Sequence, residues 1–324
     1  MAVIIGTSGN DTLNGTIEDD IIRTGLGRDI VDGGDGIDLL EIDYSASDGR
    51  IFYTSSSVPD QGVGELRSGD NRVTFNNVEI YSITGSQFND EIFGGDFNDT
   101  LSGGRGNDVI NGGQGADVLD GESGNDTLVR NLSSFNLGSI VDNTVLTMTL
   151  IDGTTASNFE NINLTFGSGD DTVKTGLGRD IVDGGDGIDL LEIDYSASDG
   201  RIFYTSSSVP DQGVGELRSG NNRVTFNNVE IYSITGSQFN DEIFGGNFDD
   251  TLSGGLGNDV INGGNGNDIA VFAGNISEYE ITINGTTTTV INVSNRGDGT
   301  DILLNIEEIQ FSDFLDSIEN LDII

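Results

Sequence analysis

The sequence contains no cysteine, histidine or tryptophan, and only two prolines among its 324 residues. Without cysteine it has neither a disulfide framework nor a thiolate metal site, which is compatible with an extracellular protein that avoids thiols. Without histidine, an imidazole base, a histidine-based triad and a histidine-ligated zinc site are excluded. Walker A, GxSxG and EF-hand patterns are also missing from the sequence. We therefore expect the chain not to be an enzyme.

Basic residues and long apolar runs are scarce as well. The 13 lysines and arginines are outnumbered by 55 acidic residues, which gives a formal net charge of −42. Such a charge opposes a compact state unless cations neutralise it, and it makes nucleic acid a poor partner. No apolar run approaches the ~18 residues typical of a membrane span, so we expect no membrane insertion. The N-terminal MAVIIGTSGNDTLNG lacks the basic region and the cleavage site of a secretory signal peptide.

Glycine, by contrast, is abundant, with 49 residues, and much of it follows a nine-residue repeat. In GGRGNDVINGGQGADVLDG, residues 103–121, the sixth residue of each repeat is aspartate and the eighth is aliphatic. The repeat occupies four blocks, at 6–41, 85–129, 166–192 and 236–271. Its sixth-position aspartates are Asp11, Asp20, Asp29, Asp38, Asp90, Asp99, Asp108, Asp117, Asp126, Asp171, Asp180, Asp189, Asp241, Asp250, Asp259 and Asp268. The glycines of the best-matching turns are Gly33, Gly34, Gly36, Gly103, Gly104, Gly106, Gly112, Gly113, Gly115, Gly184, Gly185, Gly187, Gly254, Gly255, Gly257, Gly263, Gly264 and Gly266.

The repeat predicts a turn followed by a very short strand. The GGxGxD part suits a turn that adopts positive φ more than once. One inward aliphatic residue between two outward residues describes a three-residue strand. Two repeats then make one coil, and stacked coils form two parallel sheets with the aliphatic residues between them. Aspartates of every second repeat lie on the same edge, about 4.8 Å apart.

Carboxylates at this spacing need a bound cation to remain ionised. The turns also leave main-chain carbonyl groups available, so the ligands are all oxygen atoms, which select a hard cation. Ca²⁺ fits better than Mg²⁺ because its shell of roughly 6–8 oxygens is larger and more flexible. We therefore predict that these aspartates and turn glycines hold Ca²⁺. One ion between each repeat and the repeat two further along gives about eight ions, or fewer if degenerate turns do not bind.

The consecutive repeats resemble the calcium-binding nonapeptide of the RTX, or haemolysin-type, family. The matching sequences are GGDGIDLLE (33–41 and 184–192), GGRGNDVIN (103–111), GGQGADVLD (112–120), GGLGNDVIN (254–262) and GGNGNDIAV (263–271). The resemblance implies an all-β, right-handed parallel β-roll solenoid with Ca²⁺ between successive turns. It also implies type I export to the bacterial cell surface or the extracellular space, without an N-terminal signal peptide. Phenylalanine replaces the fourth-position glycine at Phe88, Phe97, Phe239 and Phe248, where we expect weaker calcium binding.

Other segments interrupt the repeat. Residues 24–113 recur as 175–264 with four differences, which are Asp70/Asn221, Asp96/Asn247, Asn98/Asp249 and Arg105/Leu256. The segments between the blocks are rich in β-branched and aromatic residues, and we read them as longer β-coils of the same solenoid. The alternative is that they are small separate β-domains. Triplets such as Asn-Val-Glu precede an apolar strand at 77–79, 161–163, 228–230 and 305–307.

This reading gives an alternating organisation. Calcium β-roll blocks are expected at 1–41, 85–129, 166–192 and 236–271. Longer β-coil inserts are expected at 42–84, 130–165 and 193–235. A C-terminal β cap with a type I secretion signal is expected at 272–324, where we interpret Arg296-Gly297-Asp298 as part of a turn rather than as a cell-attachment triplet.

A chain made of repeats and lacking catalytic patterns favours a structural role at the cell surface or in an extracellular matrix, such as an S-layer-like coat or a filament. The strand-like MAVIIG predicts an open edge, and hence self-association into a homo-oligomer, filament or sheet. The alternative is a carbohydrate-binding or accessory module of a polysaccharide-modifying system. That role requires an aromatic platform, which a chain with no tryptophan and seven tyrosines supports poorly.

Overall fold

The computed structural model describes residues 1–53, 62–204, 213–294 and 297–320. Within these ranges the regular structure is β-strand, apart from two short 3-10 helices, Ile276–Glu278 and Ile318–Asn320. The predicted all-β parallel β-roll solenoid is confirmed. The end of the expected secretion tail, at 321–324, lies outside the described residues, as do most of the PDQG turns at 59–62 and 210–213.

The chain forms two compact units. The first comprises Met1–Leu132 and Val145–Leu164. Its strands are β1 (Val3–Ile5), β2 (Thr12–Asn14), β3 (Ile21–Arg23), β4 (Arg28–Asp32), β5 (Leu39–Asp43), β6 (Ile51–Tyr53), β7 (Gly64–Ser68), β8 (Asn71–Asn76), β9 (Ile80–Thr84), β10 (Glu91–Phe93), β11 (Thr100–Ser102), β12 (Val109–Asn111), β13 (Val118–Asp120), β14 (Thr127–Asn131), β16 (Thr147–Thr149), β17 (Thr155–Ser157) and β18 (Asn161–Thr165). Their orders are β1-β3-β5-β9-β11-β13-β17-β16, β2-β4-β8-β7-β6 and β10-β12-β14-β18.

The second unit comprises Ser133–Thr144 and Thr165–Ile324. Its strands are β15 (Ile140–Asp142), β19 (Thr172–Thr175), β20 (Arg179–Asp183), β21 (Leu190–Asp194), β22 (Ile202–Tyr204), β23 (Gly215–Ser219), β24 (Asn222–Asn227), β25 (Ile231–Thr235), β26 (Glu242–Phe244), β27 (Thr251–Ser253), β28 (Val260–Asn262), β29 (Ile269–Val271), β30 (Tyr279–Asn284), β31 (Thr287–Asn292), β32 (Thr300–Leu304), β33 (Glu308–Phe311) and β34 (Phe314–Ser317). Their orders are β15-β19-β21-β25-β27-β29-β33-β34, β20-β24-β23-β22 and β26-β28-β32-β31-β30.

Each nonapeptide contributes half a coil, so its strand pairs in parallel with the strand two repeats later. Ile92 of β10 lies opposite Ile110 of β12, and Ile110 lies opposite Leu128 of β14. All three side chains are fully buried, while the flanking residues of β10 and β12 are not. Aliphatic side chains of the two facing sheets therefore form a narrow core inside each coil. The aspartate turns lie along its edges.

The inserts depart from the expected longer coils. In the first unit, β8 and β9 continue the parallel stacks by pairing with β4 and β5. However, β6, β7 and β8 pair antiparallel with one another, and the β7–β8 turn contains Gly69 at φ 58°. The second unit repeats this arrangement with β22, β23 and β24. A further antiparallel hairpin, β30–β31, pairs through β31 with β32 near the C-terminus.

Candidate metal sites

The sixth-position aspartates form hydrogen-bonded ladders along the coil edges. All of them except Asp11 are buried. The Asp90 N–H donates to Oδ1 of Asp108 at 2.7 Å, and the Asp108 N–H donates to Oδ1 of Asp126 at 2.8 Å. The same contact joins the pairs Asp11/Asp29, Asp20/Asp38, Asp99/Asp117, Asp171/Asp189, Asp241/Asp259 and Asp250/Asp268. The structure thus brings together the residues that the repeat spacing paired.

The second carboxylate oxygen of many ladder aspartates has no hydrogen-bond partner. This buried, unpartnered Oδ2 occurs in Asp29, Asp38, Asp108, Asp126, Asp171, Asp189, Asp259 and Asp268. Leaving such an oxygen buried without a donor costs roughly 1–3 kcal/mol, and more when the group is charged. A cation at the turn would remove this cost.

Backbone conformation distinguishes the best-matching turns from several of the degenerate ones. The second and fourth glycines of the best-matching turns all have positive φ; Gly104 has 90° and Gly106 has 131°. In several other turns the second residue lacks positive φ, and its N–H donates to the aspartate Oδ2. Ser86 does so to Asp90 at 2.5 Å, and Gly95 to Asp99 at 2.6 Å.

The first residue of the best-matching turns is glycine because the aspartate of the same turn lies very close to it. A Cβ built on Gly103 would lie 2.5 Å from Oδ2 of Asp108, and one built on Gly112 would lie 2.2 Å from Oδ2 of Asp117. The predicted turn glycines therefore shape the space around the carboxylate, whereas the aspartates supply its charge. Any contribution of the glycines to metal binding comes through their carbonyl groups.

Burial shifts the acidity of the ladder. It raises the pKa of Asp108, Asp189 and Asp268 to about 7, and that of Asp259 to about 8. Neighbouring carboxylates add to the effect, as Asp90 and Asp126 do at Asp108, whereas the main-chain N–H donors oppose it. The ladder thus resists full ionisation at neutral pH unless a cation compensates it.

One turn already contains a cation supplied by the chain. The guanidinium of Arg130, on β14, donates to Oδ2 of Asp117 at 2.7 Å and to the carbonyl oxygens of Gly113 and Gly115 at 2.6 Å each. It also donates to Asp152 at 2.6 Å, and its side chain is 1% exposed. The second and fourth carbonyl groups and the aspartate Oδ2 of a GGxGxD turn therefore converge on one positive group. The repeat pattern gave no indication of Arg130.

The donor set fits Ca²⁺. It consists of carboxylate and carbonyl oxygens, the ligands that a hard cation prefers. Among the described residues, no three acidic side chains converge on one point. The carboxylates therefore act singly or in pairs, and carbonyl oxygens such as those that bind Arg130 would complete the coordination shell.

An Asn-x-Glu turn ends one edge of each block. Oε2 of Glu79, Glu160, Glu230 and Glu307 accepts the N–H of Asp38, Asp126, Asp189 and Asp268, where the next aspartate of the ladder would stand. The asparagines of these turns, Asn77, Asn158, Asn228 and Asn305, all have positive φ. The triplet reading was right at 77–79, 228–230 and 305–307. It was wrong at 161–163, because the equivalent turn is 158–160.

The RTX calcium-binding nonapeptide repeat matches the chain in four copies, at residues 5–40, 93–128, 167–191 and 235–270. No curated protein matches the chain. One similar solved structure is the extracellular lipase LipA from Serratia marcescens, at 16% identity and a TM-score of 0.22, covering 75% of this chain and 39% of the lipase. A TM-score this low supports no inference about activity. In the described ranges, no helix has the length and apolar character needed to cross a bilayer.

Proposed function

The chain carries RTX calcium-binding nonapeptide repeats in four matched segments. From this premise we propose that it folds on Ca²⁺ outside the cell and serves there as a structural component of a surface coat or matrix. The observation that carries the proposal is the series of buried, unpartnered Oδ2 atoms in the aspartate ladders. We propose one Ca²⁺ for each hydrogen-bonded aspartate pair, or about eight ions.

Electrostatics supports folding outside the cell. The net charge of −42 and the buried ladders oppose a compact state when calcium is scarce. Extracellular modules bind Ca²⁺ with dissociation constants of about 10⁻⁴–10⁻³ M, so they fill at millimolar calcium. A chain that stays unfolded in the cytoplasm is suited to passage through an export channel.

Edge strands support the proposal of self-association. Strand β1 lies at the end of its sheet order, and its outward side chains Val3 and Ile5 are 53% and 66% exposed. An exposed apolar edge strand is a template for pairing with another chain. We propose that a second copy of the chain pairs there once calcium has ordered the coil.

We do not extend the proposal to carbohydrate binding, which needs an exposed aromatic platform. The seven tyrosines are buried or half-buried. Tyr53 and Tyr204 donate their hydroxyl groups to the carbonyl oxygens of Phe93 and Phe244, both at 2.7 Å. Phe88 and Phe97 are about 40% exposed, but they belong to successive repeats and so lie on opposite edges of the coil.

Circular dichroism during a calcium titration tests the folding proposal. We expect a disordered spectrum in chelator and a cooperative rise of β-signal at submillimolar to millimolar Ca²⁺. Unchanged β-structure in chelator would overturn the proposal. Electron microscopy and light scattering on the same samples test the structural role. We expect extended assemblies with calcium, and discrete monomers at millimolar Ca²⁺ would contradict self-association.

A further inference from the structure

We propose that Asp259 and Asp301 form an additional Ca²⁺ site in the second unit, which fastens the C-terminal β30–β31 hairpin to the last repeat block. The matched repeats end at residue 270, so Asp301 lies outside them. The sequence from Gly297 onward, GDGTDILL, follows the pattern of the nine-residue repeat. Gly297 and Gly299 stand at the second and fourth positions, Asp301 at the sixth and Leu303 at the eighth.

The backbone of this segment matches that of the repeats. Gly297 and Gly299 have φ of 98° and 76°, and φ is likewise positive at the second and fourth positions of the best-matching turns. Strand β32 pairs in parallel with β28, which places Leu303 opposite Ile261. Leu303 is 1% exposed, as expected for an eighth-position residue.

Its hydrogen bonds also match those of the ladder. The Asp259 N–H donates to Oδ1 of Asp301 at 2.9 Å, as the Asp108 N–H does to Asp126 at 2.8 Å. The Gly257 N–H donates to the carbonyl oxygen of Gly297 at 3.1 Å, and the Thr300 N–H donates to Oδ1 of Asn258 at 2.8 Å. The Thr300 bond has an equivalent in the Asn125 N–H, which donates to Oδ1 of Asn107 at 3.1 Å. The Gly106 N–H makes a similar bond at 3.1 Å, but to the carbonyl oxygen of Ser123, one position later in its turn.

The two carboxylates lack a positive partner in the structure described. Asp259 and Asp301 are 1% and 3% exposed, and Oδ2 of Asp259 is buried without a hydrogen-bond partner. No ion pair among the described residues includes either carboxylate. Two buried carboxylates in contact are strongly destabilising unless a cation or a proton lies with them.

The turn of Asp117 is the last repeat turn on one edge of the first unit, and it shows that a buried carboxylate at the end of a ladder is paired with a positive group. There, Thr154 stands where Asp301 stands here, since its Oγ1 accepts the Asp117 N–H at 3.2 Å, and the guanidinium of Arg130 provides the positive charge. The turn of Asp259 has a similar backbone, with Gly255 and Gly257 at φ 85° and 119°, against 85° and 97° for Gly113 and Gly115. It has an acid in place of threonine, and the guanidinium has no counterpart among the described residues. Ca²⁺ fits this donor set.

The site would couple the hairpin to calcium. Strand β31 pairs with β32, and the hydroxyl group of Tyr279, at the start of β30, donates to the carboxylate of Asp298 in the same turn. Closing the turn around Ca²⁺ would therefore order β30, β31 and β32 together. The sequence pattern misses the site because Asp259 and Asp301 are 42 residues apart, whereas ladder partners within a block are 18 apart.

The variant Asp301→Asn tests the proposal in the full-length chain, because an asparagine oxygen still accepts the Asp259 N–H. The matched control is Asp298→Asn, which makes the same change of charge in the same turn, at a carboxylate already bonded to Tyr279. We would count bound Ca²⁺ by equilibrium dialysis and follow hydrogen exchange in β12 and in β30–β32. We expect Asp301→Asn to bind about one ion fewer and to lose calcium-dependent protection in β30–β32. Protection in β12, in the first unit, should stay unchanged.

The inference rests on the proposed calcium-dependent folding. The experiment distinguishes failure of that proposal from failure of the additional site. If calcium protects neither β12 nor β30–β32 in the parent protein, the proposed function itself is wrong. If β12 responds but Asp301→Asn keeps the full ion count and the protection of β30–β32, the additional site is wrong. Loss of an ion in both variants would show an effect of net charge and would also overturn the site.

Discussion

At the scale of single residues, the two carboxylate oxygens of a ladder aspartate in a best-matching turn have different roles. Oδ1 accepts a main-chain N–H from the neighbouring coil, as Asp126 does from Asp108. Oδ2 of Asp108 is left buried and without a donor. Asparagine can replace the first role but not the charge that the second supplies. Asp→Asn variants therefore separate coil stacking from cation binding.

Loss of Arg130 should strongly destabilise the first unit. Replacing it with leucine leaves the carboxylates of Asp117 and Asp152 buried without their cation. Breaking a buried ion pair in this way costs about 3–5 kcal/mol. We expect Arg130→Leu to lower the free energy of unfolding by that amount, measured by denaturant titration at fixed saturating calcium.

Arg67→Leu is the control for this measurement. Arg67 pairs with Glu65 at 2.7 Å, but its side chain is 42% exposed. An exposed pair contributes less than about 1 kcal/mol. Equal losses in the two variants would contradict the role of Arg130 as an internal cation.

At the scale of elements, the turns carry more of the specificity than the strands. A three-residue strand such as β12 needs one buried aliphatic residue, while its neighbours vary, from asparagine in β12 to aspartate in β13, and many sequences satisfy this. The turn must instead contain two residues at positive φ, and its backbone must lie very close to the backbone of the neighbouring coil. Gly104 and Gly106 illustrate both requirements. This explains why glycine and aspartate recur more strictly than the strand residues.

Gly104→Ala should therefore be severely destabilising. Its φ is 90°, and an added Cβ would lie 2.4 Å from the carbonyl oxygen of Ser86 in the neighbouring coil. We expect a loss of more than about 3 kcal/mol, from left-handed strain together with forced movement of the backbone. Gly285→Ala is the control, since φ is 66° there with no atom within 4 Å of the added Cβ. It should cost only about 1–2 kcal/mol by thermal unfolding. A similar loss in both would show that the contact with Ser86 is unimportant.

The Asn-x-Glu turns end the ladders by supplying a glutamate oxygen where the next aspartate would accept the main-chain N–H. Oε2 of Glu230 accepts the Asp189 N–H at 3.0 Å. Glu230→Ala leaves this donor without an acceptor, and we expect a loss of about 1–3 kcal/mol in chemical denaturation. Glu230→Gln should recover most of it, because an amide oxygen can accept the same bond. Failure of glutamine to recover stability would mean that the charge of Glu230 matters, and not the hydrogen bond.

At the scale of the whole molecule, proton and calcium binding compete for the same carboxylates. Burial raises the pKa of Asp108 and Asp268 to about 7 and that of Asp259 to about 8 in the calcium-free fold. In an unfolded chain, aspartate titrates near about 3.9. Between these values the folded chain binds more protons than the unfolded chain. The stability of the calcium-free fold therefore falls as pH rises from about 4 to 8.

We consequently expect β-signal in chelator to be stronger at pH 5 than at pH 8, as followed by circular dichroism. With calcium present, the calcium midpoint should rise as pH falls below about 7, because ligand carboxylates must lose their protons to bind the ion. A spectrum in chelator that does not change with pH would contradict the calcium-free pKa shifts. A calcium midpoint independent of pH would show that other groups hold the ion.

By itself the sequence determined the repeat architecture and the identity of most ladder residues. A half-coil has the length of one nonapeptide, so residues that meet in space recur in the sequence at a fixed period, as Asp108 and Asp126 do. Tertiary structure alone decided which carboxylate oxygen is left unpartnered, how the inserts fold into antiparallel hairpins, and where Arg130 and Asp301 stand. Those contacts join residues 13 positions apart for Arg130 and Asp117, and 42 apart for Asp259 and Asp301. They follow no period, because they arise where a stack of coils ends and the chain must supply its own partner for the last turn.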